Sequence, residues 1–471
     1  MRASPLVLGR LLSALLTLSL PLGLARLLDP QEFGTYKQLF LVAQTALLIG
    51  QLGLLQSLYY FLPRAESGRG RYVTQALLGL TLAAVVAAGL LCLAAPRALH
   101  GLKIPLALLA AGLLVSALLE PAFTSQGRAG RAAVAYVVSD GTRAAILLLA
   151  ARWGGISAIA WGAAAYAGLR VAALAAALAL GAIPVGPIDR RALGRQLRYA
   201  LPIAGAALLW VAQKQFIQYA VAWRFDTAGY AGFAVATFHL ALVDILYTPV
   251  GEVLMVRLGA TEDVAGRLRE WQGAVGKLAL VLWPATVCAW LFGDRVLPLL
   301  FTGRYGASVP LFLLATCEIP CWIFPVDSFL RASGATRLLF YWAALRLPLT
   351  AVAVLAGLAL RGLAGAIVGS LLIEALSRAV LLVRARRELG VPLLRFVHGR
   401  RLALTAAAAL GAVPGALVVE RWGSGKLGLV LAALVYGVGY LGLTACFGAD
   451  VPGLRFRSAS RTAPPTPAEL A

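Results

Sequence analysis

Charged side chains are scarce in this sequence. Asp, Glu, Lys and Arg together make up 13% of its 471 residues, whereas hydrophobic residues make up 61%. A soluble globular protein carries about 25% charged residues. Apolar runs of about 18 residues or more recur along the whole chain, and each is long enough to cross a hydrocarbon layer roughly 30 Å thick. These proportions exclude an ordinary soluble domain and predict a polytopic membrane protein.

The chain is also poor in residues that bind metals or form catalytic centres. It has three histidines and five cysteines, and no His/Cys group has the spacing of a metal site. The cysteines lie within or at the ends of apolar runs, where they are expected to act as small packing residues. No connector pairs a nucleophile with a base, or two carboxylates with each other. We therefore expect no cofactor, no metal and no enzymatic activity.

The apolar runs predict helices rather than barrel strands. They are rich in Ala and Leu and show no two-residue alternation, and a backbone in lipid must satisfy its own hydrogen bonds. We predict an all-α polytopic membrane protein with about 14 transmembrane helices, numbered here as spans 1 to 14. The spans fall near residues 6–25, 38–62, 72–95, 104–124, 132–151, 156–181, 199–223, 228–256, 271–292, 307–329, 338–360, 362–383, 401–420 and 427–447.

The net charge of +22 is distributed by topology rather than concentrated in one patch. If the N-terminus is cytoplasmic, most of the 42 Lys and Arg residues fall in cytoplasmic connectors. Lys37 is counted among the basic residues of the opposite side. The bias follows the positive-inside rule, which places both termini in the cytoplasm. Nucleic-acid binding is therefore not expected in spite of the basicity.

Two internal echoes divide the chain into similar halves. LARLLDPQEFGTYKQLF, at residues 24–40, follows span 1, and WRFDTAGYAGF, at residues 223–233, follows span 7. Ser125–Arg128 joins spans 4 and 5, and the similar Arg331–Gly334 joins spans 10 and 11. We predict two six-helix lobes in a pseudo-two-fold arrangement, as in transporters that rock around a central site. The predicted units are residues 1–187, residues 188–390, residues 391–447 with spans 13 and 14, and a disordered cytoplasmic tail at 448–471.

Three cations inside the predicted spans have no acidic partner on their own helix. They are Arg170 in span 6, Lys214 in span 7 and Arg346 in span 11. An unpaired charge in a membrane interior needs a counter-ion from another helix, water or a substrate. For Lys214 the alternatives are a contact with substrate and an interhelical pair with Asp244 of span 8.

Two other pairs of charges can close locally. Asp140 and Arg143 are three residues apart, and Glu374 and Arg378 are four residues apart, so each pair lies on one helix face. A structural and a functional role are equally open for both pairs. Glu120, Glu318 and Asp327 lie nearer to helix ends and are weaker candidates.

Amide and aromatic side chains accompany Lys214. Trp210, Lys214 and Gln218 recur every four residues and form one stripe on span 7. An indole can stack on a sugar ring, an amide can bond to its hydroxyls and an ammonium can meet a phosphate. Gln44 and Gln51 are seven residues apart and share a face of span 2. The alternative for these side chains is a polar seam between helices.

Acidic groups deep in the spans are candidates for ion coupling. Asp244 lies deep in span 8, with His239 close by on the same helix, and could carry a coupling proton or Na⁺. Asp140 of span 5 is a further candidate. The alternative for Asp244 is a counter-ion to Lys214.

The echoed stretches carry a family resemblance. LARLLDPQEFGTYKQLF resembles the signature after the first helix of oligosaccharide flippases in the multidrug/oligosaccharidyl-lipid/polysaccharide (MOP) exporter superfamily. LFTGRYGASVPLF, at residues 300–312, resembles the stretch before the tenth helix of that superfamily. FLRASGATRLLFY, at residues 329–341, resembles the stretch before the eleventh. The likeness is to Wzx-type O-antigen and exopolysaccharide flippases in particular.

The resemblance implies movement of an undecaprenyl-diphosphate-linked glycan across the bacterial inner membrane by alternating access. Residues 24–40 would form an outer-face elbow, in which Asp and Gly shape a turn and the aromatics sit at the membrane interface. The expected partners are the lipid-linked glycan, the bilayer, and a polysaccharide polymerase with glycosyltransferases.

In this interpretation Lys214, Arg170, Arg143 and Arg346 hold the diphosphate and acidic sugars in the cavity. A MATE-like cation-coupled drug exporter is the first alternative, and it would require an acidic, aromatic cavity for organic cations. A lipid II flippase is a close second alternative. A membrane scaffold for polysaccharide assembly, without transport, is the third, and it predicts that charge substitutions inside the spans disturb only folding.

Overall fold

The computed structural model describes residues 4–65, 68–422 and 425–446. Every regular element within these ranges is helical, as the all-α prediction requires. The predicted tail at 448–471 lies outside the described residues. The α-helices are Ser4–Leu27, Pro30–Gly50, Leu54–Arg64, Arg69–Ala94, Lys103–Ser116, Leu119–Ser125, Ala129–Ala179, Arg190–Arg224, Thr227–Ala236, His239–Gly259, Val264–Phe301, Val309–Thr316, Val326–Ala332, Thr336–Leu389, Leu393–Phe396, Gly399–Gly411, Val413–Trp422 and Gly425–Cys446, and the 3₁₀ helices are Arg97–Leu102, Gly303–Ser308 and Ile319–Ile323.

Ten helical stretches are each long and apolar enough to cross a membrane. An eleventh crossing is the pair Pro30–Gly50 and Leu54–Arg64, which is bent by 45°. Two of the ten stretches are too long for one crossing, because they contain 51 and 54 residues, whereas one span needs roughly 20.

Both long stretches are hairpins. Ala129–Ala179 turns at Gly154 and Gly155, and the arms are joined by a 2.8 Å hydrogen bond between the Ser139 and Tyr166 hydroxyls. Thr336–Leu389 turns at Arg361 and Gly362, and Trp342 Nε1 donates to Ser377 Oγ at 2.8 Å. Each hairpin therefore supplies two passes.

The count of passes follows from these hairpins. Doubling the two hairpins, including the bent pair and adding Ser4–Leu27 as span 1 gives fourteen passes within the described residues. The predicted fold class is confirmed. Because the number of passes is even, residues 4 and 446 lie on the same side, called here the terminal side. The opposite side carries Asp29 and Asp226 and is called the elbow side.

The two lobes, spans 1–6 and spans 7–12, repeat each other in backbone geometry. Gly155, at the turn of the first hairpin, has φ/ψ of 57°/−150°, and Gly362 in the second has 58°/−137°. Gly127 and Gly334, which precede the hairpins, have φ of 74° and 76°. Both pairs have the same separation along the chain, and all four conformations lie in the region that favours glycine. The same glycine conformations therefore occur at both ends of span 5 and at both ends of its counterpart, span 11.

The residue 24–40 stretch begins a helix instead of forming an interfacial turn. Asp29 Oδ1 accepts from the Glu32 backbone N–H at 2.7 Å, and Pro30 occupies the first helical position. This capping box starts span 2 at Pro30, well before the predicted start at residue 38. In the echo, Asp226 accepts from the Gly229 backbone N–H at 2.8 Å and caps Thr227–Ala236 in the same way.

Gly34 and Phe33 have roles that differ from those expected. Gly34 lies inside the helix, where its missing side chain lets span 2 pack on the backbone of Thr227 in span 8. Phe33 is fully buried and packs edge-on against Phe301 and Tyr305, with ring centroids 6.5 and 5.8 Å away. These residues therefore join the two lobes at the elbow side rather than facing the membrane interface. We call this group of five residues the elbow seam.

The start of span 7 is tied to span 3. Arg71 donates to the Asp189 carboxylate at 3.0 Å, and Gln75 Nε2 donates to the Asp189 carbonyl at 2.7 Å. Asp189 also caps span 7, and hydrogen bonds from the Ala192 and Arg191 backbone N–H groups, followed by the Arg71 guanidinium, hold its pKa below the ordinary value. The connector between the lobes is therefore anchored to the first lobe.

We predict that Gly34→Ala destabilises the protein, because the added Cβ would overlap the Thr227 carbonyl oxygen. Overpacking of this kind costs about 1–3 kcal/mol, and it should lower the melting temperature in detergent. The matched control is Gly89→Ala on span 3, where a Cβ meets nothing within 4 Å. Gly89→Ala should leave the melting temperature unchanged or slightly raised, and equal effects of the two variants would contradict the seam.

Candidate functional site

Ionisable side chains form a belt near the middle of the spans. Lys214 lies ten residues before the end of its helix at Arg224, which places it about 15 Å from the elbow side at 1.5 Å per residue. By the same measure Arg143 lies about 18 Å and Arg170 about 23 Å from the hairpin turn at Gly155. The hydrocarbon layer is roughly 30 Å thick, so these charges are far from either surface. The mid-span belt comprises Glu120, Asp140, Arg143, Arg170, Lys214, Asp244, Glu318, Asp327, Arg346, Glu374 and Arg378.

Arg170 closes a network in the first lobe. Its guanidinium pairs with the Glu120 carboxylate at 2.8 Å and donates to Ser116 Oγ at 3.1 Å. It also donates to Ser139 Oγ, which is bonded to the Tyr166 hydroxyl. The network joins spans 4, 5 and 6 and satisfies a charge that would otherwise be stranded in hydrocarbon.

Asp140 and Arg143 form the expected local pair at 3.0 Å. The pair also reaches span 1, because Ser13 Oγ donates to the Asp140 carboxylate and Arg143 donates to Thr17 Oγ1 at 2.8 Å. These contacts attach span 1 to the first hairpin.

Arg346 has a partner that the sequence did not reveal. The hairpin places span 12 beside span 11, and Arg346 donates to the Glu374 carboxylate. Glu374 also accepts from Arg378 at 2.7 Å, as the four-residue spacing predicts. Arg378 then bonds to Asp327 at 3.2 Å and to the Tyr247 hydroxyl at 2.8 Å. One carboxylate thus holds two guanidinium groups, and four spans of the second lobe are joined.

Lys214 forms the interhelical pair that was one of its two predicted alternatives. Its ammonium lies 2.7 Å from the Asp244 carboxylate and 5.0 Å from the centroid of the Trp210 ring. Gln218, the third member of the stripe, accepts from the Tyr230 hydroxyl at 2.9 Å. The predicted stripe is therefore present on span 7, and its role in binding substrate stays a prediction.

His239 is not placed beside Asp244. It begins the second helix of span 8 and is buried, with Nδ1 3.3 Å from the Ala236 carbonyl and its ring against Phe312. Five residues separate it from Asp244, so the two side chains leave the helix about 140° apart. Both groups lie on the helix His239–Gly259, as the sequence predicted, and their role in ion coupling stays a prediction.

The structure adds Lys37 to the candidates. The sequence suggested a connector for it, but the capping box places it inside the helix Pro30–Gly50, seven residues before Gln44. Lys37, Gln44 and Gln51 thus share one face of span 2 at seven-residue spacing, and each is half-buried. The ammonium lies 5.6 Å from the Phe33 ring centroid, and within the described residues no carboxylate lies within ion-pair distance of it. The seven-residue spacing between Lys37 and Gln44 is the sequence feature that could have placed Lys37 on this face.

Glu120 and Asp327, which the sequence ranked as weaker candidates, form ion pairs that the sequence did not indicate. They occupy equivalent positions in the two lobes, with the same separation as the repeated glycines, and each holds the central arginine of its lobe, Arg170 or Arg378. Their positions near breaks in spans 4 and 10 made them look like residues at helix ends. No group of three or more His, Cys, Asp or Glu in the described ranges is placed to hold a metal ion.

The cations of the belt are generally more exposed than their carboxylate partners. Side-chain exposure is 48% for Lys214 against 36% for Asp244, and 14% for Arg170 against 5% for Glu120. For Arg346 and Glu374 the values are 26% and 5%. Arg143 and Asp140 are nearly equal, at 14% and 16%. In the Arg378–Asp327 pair the order is reversed, at 12% and 29%. Lys214, Arg170 and Arg346 are thus the belt cations that are more exposed than the carboxylates on other spans with which they pair.

We predict that Glu374→Ala is far more destabilising than Asp244→Ala. Removing Glu374 leaves two buried guanidinium groups short of a partner, which costs about 3–5 kcal/mol. The Lys214–Asp244 pair is partly exposed, and such pairs contribute about 0–1 kcal/mol. Thermal unfolding of both variants in the same detergent measures the difference. Equal losses of stability would contradict the contrast between buried and accessible pairs.

Solved structures with this fold include transporters from more than one family. The structure superposes on lipid II flippase MurJ in an inward closed conformation with a TM-score of 0.74, at 12% identity over 94% of this chain and 98% of that one. It superposes on an inward-facing multidrug resistance MATE family transporter of the MOP superfamily with a TM-score of 0.65, at 15% identity over 80% and 94% of the two chains. A MOP superfamily transporter from Pyrococcus furiosus, whose reverse-polarity binding pocket suggests a different function, matches with a TM-score of 0.58, at 14% identity over 82% and 94%.

The coverage of these matches bears on the last two spans. The likeness to MurJ covers 94% of this chain. The part of the chain from Gly399 onward is larger than the share left uncovered, so the likeness must extend into spans 13 and 14. At these identities the likeness concerns the fold alone, which is that of the MOP superfamily.

The sequence itself identifies the family. No curated protein matches the chain significantly in sequence. A family model described as polysaccharide biosynthesis protein matches residues 23–310, which is more than half of the chain and includes the capped start of span 2, the Lys214–Asp244 pair and the elbow seam. The resemblance predicted from residues 24–40 is confirmed at the level of family and fold. The chain belongs to the polysaccharide biosynthesis protein family and has the fold of MOP superfamily transporters.

Proposed function

We propose that the protein is a flippase that moves an undecaprenyl-diphosphate-linked oligosaccharide across the bacterial inner membrane for surface polysaccharide synthesis. The observation that carries this proposal is the exposure of three cations of the mid-span belt. Lys214, Arg170 and Arg346 are more accessible than the carboxylates that neutralise them. A diphosphate is attracted by such a surface, and charge-assisted hydrogen bonds to it are among the strongest available.

The same observation disfavours export of organic cations. A cationic drug would need accessible carboxylates without a cation beside them. Glu120 and Glu374 are almost fully buried behind their arginines, and the more accessible Asp244 and Asp327 are paired with Lys214 and Arg378. Lys37, on the Gln44 and Gln51 face of span 2, adds a cation with no carboxylate in contact among the residues described. A glycan diphosphate cannot cross hydrocarbon unaided, because each unpaired polar group costs several kcal/mol.

The two kinds of ion pair suit different tasks in alternating access. Networks around Arg170 and Arg378 are buried within one lobe each, so they keep the lobes rigid during movement. The Lys214–Asp244 pair is half-exposed, and opening it costs about 1 kcal/mol or less. A substrate phosphate can therefore replace Asp244 at the Lys214 ammonium. Asp244, freed in this way, is the best placed carboxylate to take up a coupling ion.

The topology is part of the proposal. The terminal side is cytoplasmic, in line with the excess of Lys and Arg there. The moving units are residues 1–187 and 188–390, and residues 391–447 form an added pair of spans. A polysaccharide polymerase and glycosyltransferases are the proposed protein partners.

Lipid II is a second candidate substrate, and one observation favours it. The structural likeness to lipid II flippase MurJ extends into spans 13 and 14, whereas the matched part of the MATE family transporter is 80% of this chain. Both candidates are polyprenyl-diphosphate glycans, so the same cationic belt would serve either one.

We predict that Lys214→Ala lowers the rate of flipping of a short undecaprenyl-diphosphate oligosaccharide in proteoliposomes. A charge-assisted hydrogen bond contributes about 1.5–3 kcal/mol, which corresponds to a loss of about tenfold or more. The control is the exchanged pair Lys214→Asp with Asp244→Lys, which keeps an ion pair but moves the ammonium to span 8. It should melt like wild type and flip more slowly.

Other outcomes separate the alternatives. Equal flipping by wild type and a folded Lys214→Ala variant would remove Lys214 from the site and leave the flippase proposal standing. Transport of organic cations without any lipid flipping would favour the exporter. Wild type that moves neither class of molecule would favour the scaffold.

A further inference from the structure

A cleft of about 630 Å³ opens between the arms of the first hairpin. The arms touch near the elbow side, where Gly162 faces Ile146 and Ala150, and they separate toward the terminal side. The cleft follows span 5 from Gly130 to Thr142, which is about 18 Å along the helix axis. It therefore reaches from the terminal surface to the mid-span belt.

The walls and the two ends of the cleft differ in chemistry. The walls are apolar, and Val134, Val138 and Leu169 are each more than half exposed within them. Arg131 is exposed at the terminal-side mouth. At the deep end, Arg170 is already bonded within its own network of Glu120, Ser116 and Ser139. The cleft thus offers one accessible cation at the membrane surface and an apolar channel above it.

The internal repeat shows where the two hairpins differ beside this cleft. With the separation set by the repeated glycines, Ala135 corresponds to Trp342 and Ser139 to Arg346. In the second hairpin Trp342 and Arg346 both bond to Ser377 and bridge the two arms. In the first hairpin Arg170 bonds to Ser139, so the arginine and the serine have exchanged arms and this bridge is kept. The cleft therefore lies where Ala135 stands at the position of Trp342.

We propose that this cleft binds the polyprenyl tail of the lipid-linked substrate, with the diphosphate beside Arg131 at the terminal side before it moves to Lys214. The inference rests on the proposed function and adds where the substrate tail lies. A glycan is a poor occupant, because apolar walls cannot pair its hydroxyls. An isoprenoid chain is compatible with the apolar walls, and Arg131 complements the negative diphosphate.

The test uses the full chain in phosphatidylethanolamine and phosphatidylglycerol vesicles. The probe is undecaprenyl diphosphate with a photoactivatable diazirine in its tail, and labelled residues are located by mass spectrometry. We expect labelling of Val134, Val138 and Leu169 that excess unlabelled undecaprenyl diphosphate removes. Ala135→Trp, which copies Trp342 of the second lobe, should reduce this labelling at least tenfold.

Two further variants keep the result interpretable. Ala172→Trp places the same side chain on an exposed position of span 6 that does not line the cleft, and it should label like wild type. If Ala135→Trp does not fold, Ala173→Val, which copies Val380, narrows the cleft with a smaller change and should reduce labelling severalfold.

The inference is overturned if labelling is spread evenly over lipid-facing residues, or if phosphatidylglycerol competes as well as unlabelled undecaprenyl diphosphate. It is also overturned if wild type flips the oligosaccharide while the tail labels another surface, in which case the proposed function survives. Competed labelling of the cleft without any flipping has the opposite meaning, because the tail site then stands and the flippase proposal falls.

Discussion

Pairing of charges inside the hydrocarbon layer is the constraint on which the rest of this structure depends. A guanidinium in the middle of a membrane is tolerated only when a carboxylate or hydroxyl lies beside it. Arg143, Arg170, Arg346 and Arg378 each meet this condition through a contact within their own lobe. The ion pairs thus hold together spans within a lobe, and the hydrophobic effect gives no driving force for these spans to associate in lipid.

The mid-span belt contains both buried ion pairs and ion pairs that remain accessible. Glu374 lies between two arginines and is buried. Replacing it by a neutral residue would leave the two guanidinium groups without this carboxylate in an apolar surrounding. Lys214 and Asp244 join neighbouring spans, and 48% and 36% of their side chains are still accessible. A substrate can compete for this pair without dismantling a lobe. The position of a charge in the same layer therefore decides whether it holds the fold together or remains available for chemistry.

The remaining features follow from the backbone repeat of the two lobes and from the positions where their side chains differ. Glycines with positive φ recur at equivalent positions and force the same turns in both lobes. Within this shared backbone, side-chain volume differs, and Trp342 occupies a position where the first lobe has only Ala135, beside the cleft. In the elbow seam a missing side chain allows contact instead of leaving a cleft. Gly34 has no side chain at the place where two helices from different lobes touch.

The sequence by itself determined the class of the molecule, the number of passes, the family and the local pairs Asp140–Arg143 and Glu374–Arg378. Those features depend on hydropathy, spacing and short motifs, which are properties of neighbouring residues. Only the tertiary structure decided that Arg346 pairs with Glu374, that Arg170 pairs with Glu120, and that Lys37 lies inside span 2. Partners of this kind are 28 and 50 residues apart along the chain, and no periodicity reports which helices a hairpin brings together.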